Sequence, residues 1–444
     1  MSVSGSDEVS QAGVSSQSNS KPITSAPILN WTLIILTVVY CFNFIDRQIL
    51  VIMSPYVKAD LGLSDGQLGL VTGLAFALFY TFLGIPIAWY SDRSNRRNIV
   101  VASLTIWSAM TAVCGLATNF IQLFLARLGV GIGEAGGSPP SHSMISDLFS
   151  VHKRATALAI YSSGIYFGIL LGYSIGGVLG AAIGWRMTFM VVGMPGVILA
   201  GILWATVKEP ARRISAHDID NKPGFFETIQ GVAKFPSFWC FAFACAFSGF
   251  VSYGVGNFYP NWLVRYHDLP IRSIGLILGI FMGTSGILGT ILGGRLTDWL
   301  SKYDIRWYLW LPGLSATMGV PFAIFAFNSD NLYMALGSLY IAAVLGTMYL
   351  GPSIATAHRL VEPRMRAMSS AILFFTLNLI GLGLGPTAVG YLSDFLTKIN
   401  GRESLHLAMT CGTLFALVKA GLFYYGGVLL PKDLAKTKQA STDD

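Results

Sequence analysis

Charged residues are scarce in this sequence. Of its 444 residues, 11% are charged and 53% are hydrophobic, whereas a soluble protein carries about 25% charged residues. The mean hydropathy is +0.60. So little charge excludes a large soluble domain. We therefore expect an all-α integral membrane protein.

Cysteine and histidine are few as well, with five and six residues. No cysteine stands at metal-ligand spacing from a histidine, and the spacing indicates no disulfide framework. The chain also lacks the nucleophile–base spacing or phosphate loop of an enzyme. We predict that the protein is not an enzyme and has no metal site and no cofactor.

The basic residues do not indicate a nucleic-acid partner, although the net charge is +7. Lysine and arginine fall in short clusters between apolar runs, as they do in the loops of membrane proteins. Residues 1–27 lack the basic start and short apolar core of a signal peptide. We predict that they and residues 431–444 form disordered cytoplasmic ends.

Twelve hydrophobic runs are long enough, at about 20 residues, to cross a bilayer. They lie at 28–54, 66–90, 98–117, 119–148, 154–182, 185–207, 237–263, 272–297, 305–326, 330–358, 367–395 and 404–430. If the N-terminus is inside, the cytoplasmic side carries 20 lysines and arginines, the outer side six, and the spans three. Because positive charge accumulates inside, both termini are predicted to be cytoplasmic.

The chain divides into two similar halves. A polar linker at 209–236, with a short amphipathic helix, separates six spans at 28–208 from six at 237–430. Asp92 at the end of span two recurs as Asp298 at the end of span eight, 206 residues later. The predicted fold class is therefore twelve transmembrane helices in two pseudo-symmetric six-helix bundles.

Glycine recurs every four residues in span five. Such a row forms a smooth groove in which a second helix packs closely. We expect this packing to be within one chain, in a monomer, rather than between two copies. The row comprises Gly164, Gly168, Gly172, Gly176, Gly180 and Gly184.

Three ionisable residues lie inside the apolar runs, where charge usually marks a functional site. Asp46 is in span one, and Arg127 and Glu134 share span four. Seven residues correspond to about 700° of helix rotation, so Arg127 and Glu134 face the same way, roughly 10 Å apart along the axis. Asp46 and Arg127 lie at similar predicted depths. We expect these two to form an ion pair.

Other polar residues of the spans have plainer interpretations. Arg47 is expected to snorkel to the outer interface, Lys419 to be structurally paired, and His142 to pack at a helix end. The C-terminal half has no intramembrane acid matching Glu134 but many aromatic residues in spans seven, eight, ten and eleven. They are Phe247, Phe250, Tyr253, Phe258, Tyr259, Tyr349, Phe374 and Phe375.

Two motifs resemble those of the major facilitator superfamily over residues 30–430. The stretch from Ala88 to Arg97 resembles the superfamily's loop 2–3 motif, although Ala88 and Asn95 stand where glycine is usual. The run from Arg127 to Ala135 resembles its helix-four motif, which is linked to proton coupling. The resemblance implies the major facilitator fold. It also implies a gating motif, comprising Asp92, Arg93, Arg96, Arg97 and Asp298.

A narrower resemblance is to the spinster subfamily of lipid transporters. It rests on the segment from Asn43 to Arg47, the run from Arg127 to Ala135, and the segments 138–140 and 145–149. This resemblance implies a lipid-like small-molecule substrate. The short loops are typical of a bacterial member, whose location would be the cell inner membrane.

We therefore predict a proton-coupled transporter of a lysophospholipid or sphingoid-phosphate-like lipid that works by alternating access. Asp46, Glu134 and Arg127 are the predicted proton-coupling and substrate-binding residues, with Tyr253 and Asn257 as further substrate contacts. A proton-coupled multidrug or organic-anion carrier remains open as an alternative. So does a lipid receptor or scramblase, which would need no proton gradient.

Overall fold

The computed structural model describes residues 27, 30–212, 225–362 and 365–440. Residues 1–26 and 441–444, within the two predicted disordered ends, lie outside these ranges. All regular structure in the described residues is helical. The α-helices are α1 (Trp31–Leu61), α2 (Asp65–Gly69), α3 (Ala75–Arg93), α4 (Arg96–Cys114), α5 (Phe120–Glu134), α6 (Ser138–Leu148), α7 (Val151–Thr206), α8 (Phe225–Ala233), α9 (Pro236–Gly256), α10 (Tyr259–His267), α11 (Ile271–Leu300), α12 (Trp307–Asn328), α13 (Leu332–Gly346), α14 (Leu350–Leu360), α15 (Arg366–Thr376), α16 (Gly385–Asn400) and α17 (Leu405–Ala440).

Twelve membrane passes account for these helices apart from the short α8. Ten helices in the described part of the chain are long and apolar enough to cross a bilayer. One of them, His152–Thr206, is two passes, because Gly184 has φ 76° and ψ 165°, far from helical values. A further pass consists of α5 and α6, each too short to span alone. The predicted twelve-helix fold class is confirmed.

The chain reverses direction at Gly184. Before it, Gly164 lies against the carbonyl of Thr37 and Gly180 against Met53, so this part of α7 runs along α1. After it, α7 returns along α4, and the carbonyl oxygen of Val207 accepts from Nη1 of Arg97 at 3.3 Å. The start of α1 lies at the same end, where Nε1 of Trp31 donates to Oγ1 of Thr206 at 2.9 Å. Because twelve passes return the chain to the side on which it began, both described ends lie at one end of the bundle, called here the terminal end.

The opposite end, called the far end, is built from tight turns. The left-handed residues of the described chain are Gly62, Gly184, Asp268 and Gly401, and each lies in a turn at the far end. Glycine adopts positive φ without the steric cost of a Cβ atom, and aspartate is among the residues that tolerate it best. These turns keep the far-end loops short.

Two π-helical segments, Leu70–Leu74 and Leu377–Leu384, lie in the second pass of the first half and in the fifth pass of the second half. The first joins α2 to α3, and the second joins α15 to α16. The segments meet at Gly73, where a Cβ would lie 2.9 Å from the carbonyl oxygen of Gly383. π-Helical turns inside α-helices are frequent at functional sites.

The two halves approach each other most closely at the far end. A Cβ on Gly69 would lie 2.2 Å from the carbonyl oxygen of Pro386, and one on Gly177 would lie 2.8 Å from the Cα of Gly275. The apolar side chains on the outer surface remain exposed: Ile198 is 64% exposed. Such a surface is suited to lipid.

Two expectations about helix ends were wrong. α1 continues past 54 to Leu61, because Pro55 is accommodated inside it and the stop comes at Gly62. The chain from Pro431 is not disordered up to Ala440, because α17 continues there. Asp433 anchors it by accepting from the backbone N–H of Ser237 at 3.0 Å.

Candidate functional site

Three ionisable side chains are buried in the N-terminal half. Asp46 on α1 is 0% exposed, and Arg127 and Glu134 on α5 are 2% and 1% exposed. Glycine between the last two lets α5 approach its neighbours: a Cβ on Gly131 would lie 2.4 Å from the carbonyl oxygen of Phe76. The glycine-rich run thus places both charges between tightly packed helices.

Glu134 pairs with Arg47. Nε and Nη2 of Arg47 both lie 2.7 Å from Oε2 of Glu134. The guanidinium also lies 4.7 Å from the ring centroid of Phe76 and 4.8 Å from that of Tyr80. The expectation that Arg47 snorkels to the interface was wrong, because this face of α1 turns toward α5 and the aromatic rings. Cation–π contacts replace part of its hydration there.

Asp46 and Arg127 do not form the predicted ion pair. In the described residues, neither carboxylate oxygen of Asp46 has a hydrogen-bond partner, and neither do Nε and Nη1 of Arg127. The two groups remain within electrostatic reach of each other. The predicted depth was in error because α1 extends to Leu61, which puts Asp46 at the midpoint of the helix.

Asp46 faces polar groups on α4. The indole of Trp107 and the hydroxyl of Thr111 lie beside its carboxylate, yet neither donor forms a hydrogen bond with a described residue. Oδ1 of Asn43 and Oε1 of Glu134 are unpartnered as well. A buried polar atom without a partner costs about 1–3 kcal/mol. The cluster therefore holds several donors and acceptors that are free to change partners.

Tyr253 and Asn257 lie on the opposite half, on and just after α9. Tyr253 is within electrostatic reach of Arg47, so it faces the charged cluster across the interface between the halves. Asn257 is 9% exposed and caps the C-terminus of α9. Their assignment as substrate contacts stays a prediction.

Most of the predicted aromatic wall packs inside the C-terminal half. The ring centroids of Phe247 and Phe250 lie 6.0 and 4.8 Å from that of Phe415 on α17, and Phe258 is 0% exposed. These side chains face neighbouring helices. Sequence periodicity alone does not distinguish a helix face that packs on another helix from one that lines a cavity. Phe375 reaches the other half, with its ring 5.6 Å from that of Phe82.

The predicted gating motif forms contacts inside the N-terminal half. Arg96 is 1% exposed and pairs with Asp147 and with Glu209, whose Oε1 is 2.6 Å from Nε of Arg96. These bonds join α4, α6 and the segment after α7 at the terminal end. Arg93 stacks on Trp89, with 4.2 Å between the guanidinium carbon and the ring centroid.

The remaining gating assignments are less defined. Arg97 donates its backbone N–H to Oε2 of Glu209 at 2.9 Å, and Asp298 is exposed on the other half. The side chain of Asp92 lies outside the described residues. The gating role of the motif therefore stays a prediction.

Sequence reasoning missed an ionic network at the far end. Oδ1 of Asp65 accepts from Nζ of Lys58 at 2.5 Å and from Nη2 of Arg265 at 2.7 Å. Oδ2 accepts from Oγ of Ser393 at 2.7 Å. Arg265 also pairs with Glu403 at 2.8 Å. The network joins the two halves. The sequence carried one indication of it, because Lys58 and Arg265 are two of the six basic residues predicted on the outer side.

A carboxylate from the second half caps α2. Oδ1 of Asp394 accepts from the backbone N–H of Asp65 at 2.9 Å, and Oδ2 accepts from that of Gly66 at 2.8 Å. Negative charge at a helix N-terminus satisfies free N–H groups and complements the helix dipole. The far end is therefore closed by charge-assisted hydrogen bonds in which each half supplies a carboxylate that accepts from donors of the other half.

The buried acidic residues of this site belong to no larger cluster of metal-ligand side chains in the described chain. Across the described ranges, no group of three or more histidine, cysteine, aspartate or glutamate side chains could hold a metal ion. The site consists of paired and unpaired charges between helices, an arrangement suited to binding and proton exchange.

Comparison with known proteins identifies the family. The model of the Major Facilitator Superfamily matches residues 36–386. A solved structure of a bacterial homologue of the human lysosomal transporter spinster, inward-facing and unoccupied, superposes with a TM-score of 0.84. It is 33% identical, and the match covers 92% of this chain and 99% of that one.

Two curated relatives differ in their described roles. An MFS-type efflux pump of Mycolicibacterium smegmatis is 32% identical over 84% of this chain and 87% of its own length. A hexuronate transporter of Bacillus subtilis is 24% identical over 81% of this chain and 86% of its own. The twelve-pass fold, the family match and the extent of these similarities agree, and the chain belongs to the Major Facilitator Superfamily, with a spinster homologue among its structural neighbours.

Proposed function

We propose that this transporter moves a single-chain lipid with an anionic headgroup, such as a lysophospholipid or a sphingoid phosphate, and couples the movement to protons. The observation that carries the proposal is the buried pair of Arg47 with Glu134, beside an Asp46 carboxylate whose oxygens have no partner among the described residues. The lipid class follows from the resemblance to spinster-type lipid transporters.

Protonation of Glu134 would weaken its pairing with Arg47. Desolvation offsets much of the Coulomb energy of a buried ion pair, so loss of the carboxylate charge removes the main reason for the guanidinium to stay. Arg47 and Arg127 would then be free to bind phosphate, to which a planar guanidinium is well suited. Asp46, within reach of both Arg127 and Glu134, would accept or pass on the proton.

The two walls of the interface differ in a way that suits an amphiphile. The N-terminal wall carries Asp46, Arg47, Arg127 and Glu134, and the facing helix α9 contributes Tyr253. A polar headgroup would lie at the charges, and an acyl chain would follow the apolar faces. Alternating access would require the far-end network around Asp65 and Arg265 to open.

The excess of positive charge on one side supports an orientation with both termini in the cytoplasm of a cell inner membrane. Arg96 and Arg97 lie at the terminal end, near Glu209. Lysine and arginine accumulate on the cytoplasmic side of membrane proteins. We propose that the working unit is a monomer, because both walls of the site come from one chain.

The test is uptake of a radiolabelled single-chain phosphate lipid into liposomes containing the purified protein, with and without a pH gradient. The gradient should increase the uptake rate, and Glu134→Gln should abolish that increase. Asp330→Asn removes the charge of an exposed carboxylate in the other half and is the control. Undiminished gradient-driven uptake by both Glu134→Gln and Asp46→Asn would refute the proposal. Equal movement without a gradient would favour a scramblase.

A second candidate function is export of drugs or uptake of organic anions. It is favoured by the efflux pump and the hexuronate transporter among the relatives. In the same liposomes, a hexuronate or an uncharged drug would then displace the phosphate lipid or be transported in its place.

A further inference from the structure

A lysine is buried in the C-terminal half without a counter-charge. Lys419 on α17 is 4% exposed. The sequence predicted a structural ion pair for it, but in the described part of the chain its ammonium has neither an ion pair nor a hydrogen bond. Its neighbour is Tyr349, whose ring centroid lies 5.5 Å from Nζ. The expected pairing was wrong because the helices around Lys419 bring no carboxylate to it.

The surroundings of Lys419 explain the missing partner. The thiol of Cys245 on α9 lies within electrostatic reach of Lys419, and Ser353 on α14 lies beside that thiol; both residues are 0% exposed. The hydroxyl of Ser353 already donates to the carbonyl oxygen of Tyr349 at 2.8 Å. The described acidic residues of this half lie in turns or near the ends of its helices, at Asp268, Asp298, Asp304, Asp330, Glu362, Asp394, Glu403 and Asp433.

An ammonium in such a place is costly to keep. Burying an isolated charge is far less favourable than leaving it in water, and contact with one aromatic face offsets only part of that cost. A methionine side chain would fill nearly the same space as the lysine stem and would carry no charge. A positive charge kept at this position would need a counter-charge, and the described chain does not supply one.

Tyr349 connects Lys419 with the interface between the halves. Its side chain is half-buried and lies within electrostatic reach of Tyr253 and of Tyr166 in the N-terminal half. The hydroxyl of Tyr166 in turn hydrogen-bonds with Oγ1 of Thr290 across the two halves at 2.7 Å. Tyr349 and Tyr253 thus lie between Lys419 and the charged cluster of Arg47 and Glu134.

We propose that Lys419 is the anion-binding residue of the C-terminal half and holds a phosphate or carboxylate of the transported molecule beside Tyr349. For a phosphate lipid, this inference rests on the proposed function and extends it to a second contact opposite Arg47. The anion would supply the counter-charge, and the rocking of the halves would bring it within reach of both walls.

The test compares three single-chain or small ligands on the purified full-length protein: a lysophosphatidate, a monoacylglycerol with the same acyl chain, and glucuronate. Lys419→Met should raise the Kd of the lysophosphatidate about tenfold or more, because a buried charge contact is lost. The Kd of the monoacylglycerol should stay within about twofold, since it carries no anionic group. Lys419→Arg should restore most of the affinity.

Two controls separate binding from folding. Lys436→Met makes the same change on the same helix, at a lysine that is 47% exposed and paired with Asp433, and should leave all affinities unchanged. Lys419→Met should keep or raise the thermal unfolding temperature, because the change removes the desolvation cost of an unpaired buried charge. Equal losses for both lipids, or no loss for either, would overturn the inference.

The inference and the proposed function can fail separately. If the wild type binds glucuronate but not lysophosphatidate, and Lys419→Met abolishes glucuronate binding, the lipid proposal fails and the anion site stands. If lysophosphatidate is transported and Lys419→Met leaves its Kd unchanged, the anion site fails and the lipid proposal stands. If the wild type binds neither anion, both are overturned.

Discussion

At the scale of the residue, the site is defined by which arginine forms an ion pair with which acid. Glu134 has two arginines within electrostatic reach, and it is Arg47 that bonds to it through two nitrogens at 2.7 Å. Arg127 is left with Nε and Nη1 unpartnered among the described residues. The protein thus keeps one bound and one available guanidinium within the same buried cluster.

Truncation of Arg47 should show that the buried carboxylate of Glu134 depends on its arginine partner. Arg47→Ala leaves Glu134 charged and buried, and breaking such a pair costs about 3–5 kcal/mol. We expect a lower thermal unfolding temperature and loss of gradient-driven uptake. The double variant Arg47→Met with Glu134→Gln should recover the unfolding temperature but not the uptake.

The control for this prediction is an exposed pair. Arg186→Ala removes the partner of Asp60, and the two side chains are 39% and 43% exposed. Exposed pairs contribute about 0–1 kcal/mol, so unfolding should hardly change. If the double variant Arg47→Met with Glu134→Gln is as unstable as Arg47→Ala, the unpaired charge of Glu134 is not the cause of the lost stability.

At the scale of the element, the glycine row of α7 works as predicted over most of its length. A Cβ on Gly168 would lie 2.5 Å from the carbonyl oxygen of Cys41, and one on Gly176 would lie 2.5 Å from Cγ2 of Ile52. Gly184 does not belong to the row, because it forms the turn and has nothing within 4 Å of its would-be Cβ. The same residue type therefore serves packing at one position and backbone conformation at another.

Alanine at Gly168 should destabilise the N-terminal bundle. Overpacking in a close-packed interior typically costs about 1–3 kcal/mol, so Gly168→Ala should lower the thermal unfolding temperature in detergent. Gly201→Ala on the same helix, where nothing lies within 4 Å of the added Cβ, should be neutral or slightly stabilising. Equal effects at both sites would contradict the packing argument.

At the scale of the whole molecule, the far end holds the halves together. Asp65 joins Lys58 of its own half to Arg265 of the other, and the carboxylate of Asp394 caps α2. Any working cycle that alternates access must break these bonds, because they bridge the parts that have to separate. Opening of the far end therefore requires the loss of these bonds between the halves.

Weakening the network should open the far end. In Arg265→Gln, Asp65 loses a charged partner from the other half, so we expect faster hydrogen exchange of the backbone over 61–69. The measurement is hydrogen–deuterium exchange read by mass spectrometry. Glu403→Gln, at the exposed rim of the same network, should leave that exchange close to wild type. Unchanged exchange in Arg265→Gln would mean that backbone packing alone closes this end.

Sequence patterns were sufficient for the passes and for the location of buried charge. Long apolar runs have few solutions in a bilayer, because backbone groups must be satisfied within each helix. Patterns were insufficient for the length of α1, for the continuation of α17 past Pro431, and for the partners of Arg47 and Lys419. These depend on how helices rotate and slide against each other, which hydrophobic periodicity does not specify.

The sequence by itself determined a twelve-pass, two-half membrane protein with Asp46, Arg127 and Glu134 inside its N-terminal half, since hydropathy and glycine spacing follow from local chain chemistry. Tertiary structure alone decided which acid meets which base. Ion pairing needs atoms from different helices within about 4 Å, and a shift of one turn, about 5.4 Å along an axis, exchanges one partner for another. The bond between Arg47 and Glu134, and the isolation of Lys419, are consequences of that register.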